Sequence, residues 1–532
     1  MHKSAVALAI GKLMQIMGLV LLVPLAFSVF DTRSLPLSEM IRLPETFGLV
    51  WAIVFSLVVG TVLAVMFRSG RDYIGVREGY AIVSFGWLTL AFICAIPFTL
   101  YFLGVREVGW NGAFAAFSDG YFEVMSGFTT TGASILTDIE ALPRSLLFLR
   151  TLTHWLGGMG IITLAIAIFP AMGVYGYQMF RGEVPGPTKD KLQPRLRQTA
   201  TILWGVYVLF TAVETVLLWA GGMTLFDAVC HAFATMATGG FSNSGASIAG
   251  YNSAFIEWVV ILFMYLAGIN FVLHFRVLRG QPLSLIRNRE FAFYTGIIVA
   301  ASLIVVAVLS FDGLAPIETA ADHFRFGNPT GSEFVGHYSA EQSAIDTFFD
   351  TVRIGVFQVM SMVTTTGFVT ADFDLWPNFL RFMLLILMFL GGCAGSTGGG
   401  MKMIRVLIVL KVALTELRKL TQPRLVAPVK VGDKVIEDKM VINVVSFFIL
   451  FIALFVLVAI LMTLFVPDLT TAFACSIATI GNIGPGLAGI GAVENYSWIP
   501  LPGKWLLVLS MLLGRLEIFT VLIIFRGAAW RR

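Results

Sequence analysis

Charge is scarce in this chain. Asp, Glu, Lys and Arg make up 13% of its 532 residues, against about 25% in a soluble domain, so an ordinary water-soluble fold is excluded. Cysteine is scarcer still. Cys94, Cys230, Cys393 and Cys475 each sit inside an apolar segment. They have neither metal-ligand spacing nor the exposed-loop setting of a disulfide framework, and read as small packing residues. The sequence also lacks a His/Asp/Glu metal cluster, a phosphate-binding glycine loop and a nucleophile motif, which leaves no basis for an enzyme. The net charge of +4 is small, and no nucleic-acid partner is expected.

What is present is apolar. Hydrophobic residues account for 57% of the chain and the mean hydropathy is +0.86. A membrane-crossing helix needs roughly 20 mostly apolar residues. Ten stretches qualify: 5–30, 47–67, 80–104, 145–170, 198–221, 255–278, 291–311, 379–412, 440–466 and 503–525. The first runs too long for a secretory leader and is interrupted by Lys12, so it reads as a retained helix. Basic residues crowd alternate connections: Arg68, Arg71 and Arg77; Lys189, Lys191, Arg195 and Arg197; Arg276, Arg279, Arg287 and Arg289; Arg418, Lys419, Arg424, Lys430, Lys434 and Lys439; and Arg526, Arg531 and Arg532 at the end. The loops between are acidic or nearly free of Lys and Arg, above all 312–350. This alternation places both termini in the cytoplasm.

After two leading helices (1–78), one plan repeats four times over 79–196, 197–289, 290–438 and 439–532. Each repeat has an apolar span, a shorter segment ending in a Thr/Gly motif, and a second span. The short segments 118–129, 226–236, 350–364 and 470–478 cannot cross a membrane and read as re-entrant helices with extended return loops. The expected fold is therefore an all-α membrane protein with four span–re-entrant helix–span repeats around one pore, ten spans in all. The candidate ion-binding residues are Thr130, Thr131, Gly132 and Ala133; Ala237, Thr238, Gly239 and Gly240; Thr365, Thr366, Gly367 and Phe368; and Thr479, Ile480, Gly481 and Asn482. Non-helical backbone at membrane depth needs a water- or ion-filled path. Glycine lets neighbouring carbonyls turn toward such a path, where they replace the hydration shell of a large monovalent cation, with potassium the transported ion. The inward-pointing C-terminal ends of four helices favour a cation further.

These motifs, with Trp155-Leu156-Gly157-Gly158-Met159-Gly160, Gly268-Ile269-Asn270-Phe271 and the glycine-rich run Gly391–Gly400, resemble the Trk/Ktr/HKT superfamily of potassium transporters over essentially the whole chain. The two extra N-terminal helices are more similar to the Trk-type membrane subunit than to the shorter Ktr type. The resemblance implies potassium uptake across a bacterial inner membrane, a homodimer embedded in membrane lipid with one pore per protomer, and cytoplasmic nucleotide-binding regulatory subunits. Two departures stand out: Ile480 where the other motifs have Thr131, Thr238 and Thr366, and the acidic segment 312–350.

The eighth span holds too many glycines for a stable helix. Gly391, Gly392, Gly395, Ser396, Thr397, Gly398, Gly399 and Gly400 are expected to form an intramembrane loop that gates the path. A mid-membrane arginine such as Arg515 is rarely idle. Family resemblance places it below the filter, facing the pore, and pairing between helices is the other reading. Glu123, Glu214 and Glu257 read first as paired structural acids and second as an ion relay, which would make the protein a symporter coupling potassium to H⁺ or Na⁺. His154 and His274 read as helix-to-helix hydrogen-bond partners. Lys402 either snorkels toward the cytoplasm or fixes the glycine loop.

Overall fold

The computed structural model describes residues 2–70, 75–105, 110–160, 196–311, 344–422, 428–432 and 434–525. It is almost wholly helical, with one two-stranded hairpin, Lys430–Val431 against Lys434–Val435. Six described helices are long and apolar enough to cross a membrane, or seven if a pair bent by 102° at Gly268–Asn270 counts as one. The acidic segment (312–343) and the basic connection around 171–195 lie outside the described residues, as does the inner half of 145–170.

The leading part comprises α1 (Lys3–Val20), α2 (Leu22–Asp31) and α3 (Pro44–Met66). α4 (Val76–Val105) precedes a buried helix, α5 (Trp110–Phe128), and then α6 (Arg144–Trp155). The same order recurs with α7 (Leu196–Ala220), α8 (Leu225–Met236) and α9 (Ala254–Ala267), which breaks into α10 (Phe271–Leu278). It recurs again with α11 (Arg289–Phe311), α12 (Ala344–Val363) and α13 (Asn378–Leu387), which resumes as α14 (Met403–Thr421) after a long interruption. The last round is α15 (Asp438–Met462), α16 (Leu469–Ile480) and α17 (Leu501–Arg515), followed by α18 (Phe519–Phe525).

Local chemistry fixes where the short helices start. The Thr224 hydroxyl accepts the Asp227 amide at 3.1 Å, and the Asp468 carboxylate accepts that of Thr471 at 2.8 Å, each satisfying a donor that a helix start leaves orphaned. The helices α5 and α12 are longer than the segments read from sequence, beginning at Trp110 and Ala344. First and last rounds are joined by a buried ion pair, Lys504 Nζ to Asp119 Oδ1 at 2.7 Å. Burial makes that contact worth more than a surface pair and costly to break.

Candidate functional site

The helices α5, α8, α12 and α16 end in the same way. The residue after each helix, Thr129, Ala237, Thr364 or Gly481, still donates to the fourth carbonyl back. The next residue turns left-handed: Thr130 at φ 50°, Thr238 at 53°, Thr365 at 60° and Asn482 at 55°. Its amide reaches three residues back, and the amide after it reaches five back: Thr131 to Ser126 at 2.9 Å, Gly239 to Ala234 at 2.8 Å, Thr366 to Ser361 at 2.9 Å and Ile483 to Ala478 at 2.9 Å. This is a Schellman ending, normally built on glycine. A β-branched threonine there is an outlier costing roughly 1–3 kcal/mol, the kind of strain that clusters at functional sites.

Two residues later each chain turns left-handed again, at Gly132 (φ 80°), Gly240 (80°), Gly367 (83°) and Gly484 (96°). The conformational register of the fourth loop therefore differs from the sequence alignment. Asn482 stands with Thr130, and Gly484 with Gly132, whereas Thr479 and Ile480 are the last turn of α16 and Gly481 is its cap. The Thr-to-Ile departure thus moves from Ile480 to Ile483, which stands with Thr131 and Thr366; the second loop also shifts by one residue, with Thr238 beside Thr130, Gly240 beside Gly132, and Ala237 only the cap of α8.

The loops close on one another. A methyl group added at Gly132 would lie under 3.0 Å from the carbonyl oxygen of Gly239, one at Gly240 from that of Thr366, one at Gly367 from that of Ile483, and one at Gly484 from that of Thr131. The relation runs from loop to loop and returns to the first, which is the contact pattern of a ring. Thr130, Thr131, Thr238, Gly239, Thr365, Thr366, Asn482 and Ile483 are all buried. Among the described residues, their main-chain oxygens accept no hydrogen bond. Buried carbonyls are normally paired, and a ring that leaves eight free suits a partly dehydrated cation. Asn482 stitches the ring shut by donating to Thr131 Oγ1 at 3.0 Å and to the Met511 carbonyl at 3.0 Å.

Behind the outer side of the ring lies a buried ion pair that sequence reading did not assemble. Arg150 Nε donates to Glu123 Oε1 at 2.6 Å, and its Nη1 to the Ser242 carbonyl at 2.7 Å. Glu123 also takes the Ile135 amide at 2.9 Å. One pair thereby holds the return segments of the first two loops. Glu123 is paired, as its first reading had it, and so is Glu257, with Arg353 at 2.8 Å. Glu214 is not in an ion pair among the described residues: its buried carboxylate faces the Thr235 hydroxyl and no cation. Glu123→Ala leaves Arg150 buried and uncompensated, so the account expects about 3–5 kcal/mol of lost stability, read as a lower unfolding temperature in detergent.

On the other side, each round's second helix breaks where it passes the ring. α6 runs into a π-turn at Leu156–Gly160, α9 bends at Gly268, α13 stops at Leu387 and α17 stops at Arg515. The glycine-rich stretch 391–400 is a loop folded against two filter-like loops. The Gly399 amide donates to Thr365 Oγ1 at 2.6 Å, and there is no room for a side chain between Gly399 and the Gly481 carbonyl. The loop also bonds the bend of α9, through Cys393 N to Gly268 O at 2.8 Å and Phe271 N to Gly395 O at 3.1 Å.

Three charged side chains hold this loop. Arg515 donates to the Thr397 carbonyl at 2.8 Å and to those of Gly157 and Gly158 at 2.9 and 3.2 Å. Lys402 Nζ donates to the Gly398 carbonyl, so it fixes the loop. Glu290 was missed in the sequence: its Oε1 accepts the amides of Ala394 at 2.6 Å, inside the loop, and Ile404 at 3.1 Å, in the first turn of α14 beyond it. Glu517, two residues beyond Arg515, meets Arg405 at 2.9 Å.

Comparison with known proteins decides the family. The model for TrkH, described as a cation transport protein, matches residues 47–532. This chain belongs to the TrkH family. It is 37% identical over 478 residues to the Trk system potassium uptake protein TrkH of Escherichia coli strain K12, covering 90% of each chain. It is 35% identical over 527 residues to the protein of that name from Halomonas elongata, covering 98% of each. The crystal structure of the potassium transporter TrkH from Vibrio parahaemolyticus superposes with a TM-score of 0.79 at 30% identity over 100% of both chains. Membership in the TrkH family makes the chain a membrane protein of a transporter class, not an enzyme.

Proposed function

We propose that this chain takes up potassium across the bacterial inner membrane through a selective pore. The single observation that carries the reading is the closed ring of four loops with eight buried, unbonded carbonyl oxygens. Thr130, Thr131, Gly132 and Ala133, with their counterparts around Gly240, Gly367 and Gly484, form the filter. The helices α5, α8, α12 and α16 are its re-entrant helices. On this reading the chain crosses the membrane ten times, with both termini in the cytoplasm and the second spans broken below the filter. Gly391–Gly400 is the gate, held by Arg515, Lys402 and Glu290. In proteoliposomes the reversal potential should follow the potassium gradient alone; independence from that gradient removes the reading.

A coupled symporter is the second reading, and Glu214 favours it. A membrane-buried carboxyl without a cationic partner is a functional candidate by default. Coupling would shift the reversal potential with pH or sodium, and Glu214→Gln would abolish the shift.

The working unit is a homodimer bound to a ring of nucleotide-binding subunits at the cytoplasmic face. Arg418 is exposed on α14 and Lys419 lies beside it, paired with Glu416 at 2.7 Å; Arg424 lies outside the described residues. Charge reversal at all three should weaken co-purification with such a ring, most clearly at low salt, where surface charges are least screened. Undiminished binding by the triple variant moves the docking site elsewhere.

A further inference from the structure

The second loop differs from the other three at one place. Where they carry Thr131, Thr366 and Ile483, it has Gly239. The backbone does not demand glycine there, since Gly239 is absent from the left-handed residues. What demands it is a neighbour: a side chain at 239 would run into the imidazole of His154. His154 is fully buried, and neither ring nitrogen has a hydrogen-bond partner among the described residues. Its ring also faces the Gly127 backbone of α5. Its ring meets that of Phe241, two residues beyond Gly239, edge-on at 4.0 Å. One turn earlier on the same helix, Arg150 lies over the opposite contact of this loop, 3.6 Å from the Phe241 centroid.

Comparison of the rounds shows that the imidazole is a substitute. Tyr207 donates its hydroxyl to the Trp155 carbonyl at 3.2 Å, and Tyr294 donates to that of Tyr265 at 3.2 Å. The residues before those carbonyls, His154 and Met264, therefore hold the same place on the second helices. By that equivalence Met264, a flexible thioether, matches the loop that carries Thr366, whereas His154, a rigid ring, stands against the loop that carries Gly239.

We propose that His154 is a specificity-determining positioning residue. It supplies from α6 the side-chain volume that the second loop lacks at Gly239, and so sets the carbonyl of Gly239 in the ring. The inference rests on the reading of the four loops as one filter. Close-packed interiors transmit such volume changes to neighbouring backbone.

The test is the K⁺/Na⁺ flux ratio of purified protein in proteoliposomes, with thermal stability followed separately. His154→Ala and His154→Met should lower the ratio roughly tenfold, the scale on which loss of fit acts. Gly239→Thr should lose transport through collision with the ring. The pairs His154→Ala/Gly239→Thr and His154→Met/Gly239→Thr rebuild the Thr366 arrangement and should recover a ratio near that of the native protein. A merely structural histidine would change stability without this reciprocal rescue. Native ratios in both single His154 variants, or pairs that fold and select no better than Gly239→Thr alone, overturn the proposal. Gly367→Ser serves as the control: if it too leaves the ratio unchanged, the filter reading fails first.

Discussion

Gly367→Ser should lose most of its preference for potassium over sodium, by roughly tenfold or more, and much of its potassium flux. Two effects act together. Gly367 sits at φ 83°, where a side chain costs about 1 kcal/mol or more. The added Cβ would also collide with the Ile483 carbonyl and press on Pro485. The ring must open or turn one of its oxygens away, and a wider ring favours a hydrated sodium ion over a stripped potassium ion. Gly132, Gly240 and Gly484 face neighbours in the same relation, so serine there should act alike. Gly296 is the control, a helical glycine with nothing within 4 Å of an added Cβ. Its serine variant should transport and select as the native protein does.

Arg515→Ala should raise potassium flux several-fold. The guanidinium joins the glycine loop to the broken end of α6 through the carbonyls of Thr397, Gly157 and Gly158. Its removal frees the loop on that side. It also removes a positive charge from the path: at roughly 8 Å, with an effective dielectric of about 20–80, that charge opposes a cation by about 0.5–2 kcal/mol. Deleting Gly395–Gly399 should act further in the same direction and abolish the response to a regulatory subunit and its nucleotide, because several conformations of that loop are what a gate needs. A folded Arg515→Ala protein with equal or lower flux would mean that the residue only ties helices together.

The sequence made the four-part plan legible because each element left a local signal: apolar runs of spanning length, basic connections, and a Thr/Gly cluster after each short segment. The glycine break in the eighth span was legible for the same reason, since no helix holds that many glycines. The register of the second and fourth loops was not. Both Gly481 and Gly484 follow an apolar helix, and only the left-handed turn at Asn482 tells them apart. Long-range pairs were likewise hidden. Arg150 finds Glu123 across 27 residues, and Glu290 finds the glycine loop across 104; no spacing along the chain brings either pair together. His154 and Gly239 carried a faint signal, a double glycine in one motif where the others have a side chain, which no local rule interprets.

On the proposed reading the loops around Gly132, Gly240, Gly367 and Gly484 hold the transported ion by their carbonyls. Anomalous diffraction from crystals grown with rubidium in place of potassium tests it most directly. The account predicts rubidium peaks on the axis encircled by the carbonyls of Thr131, Gly239, Thr366 and Ile483, and their loss in Gly367→Ser. Rubidium bound elsewhere, beside Glu214 for example, with none among those four oxygens, would contradict it.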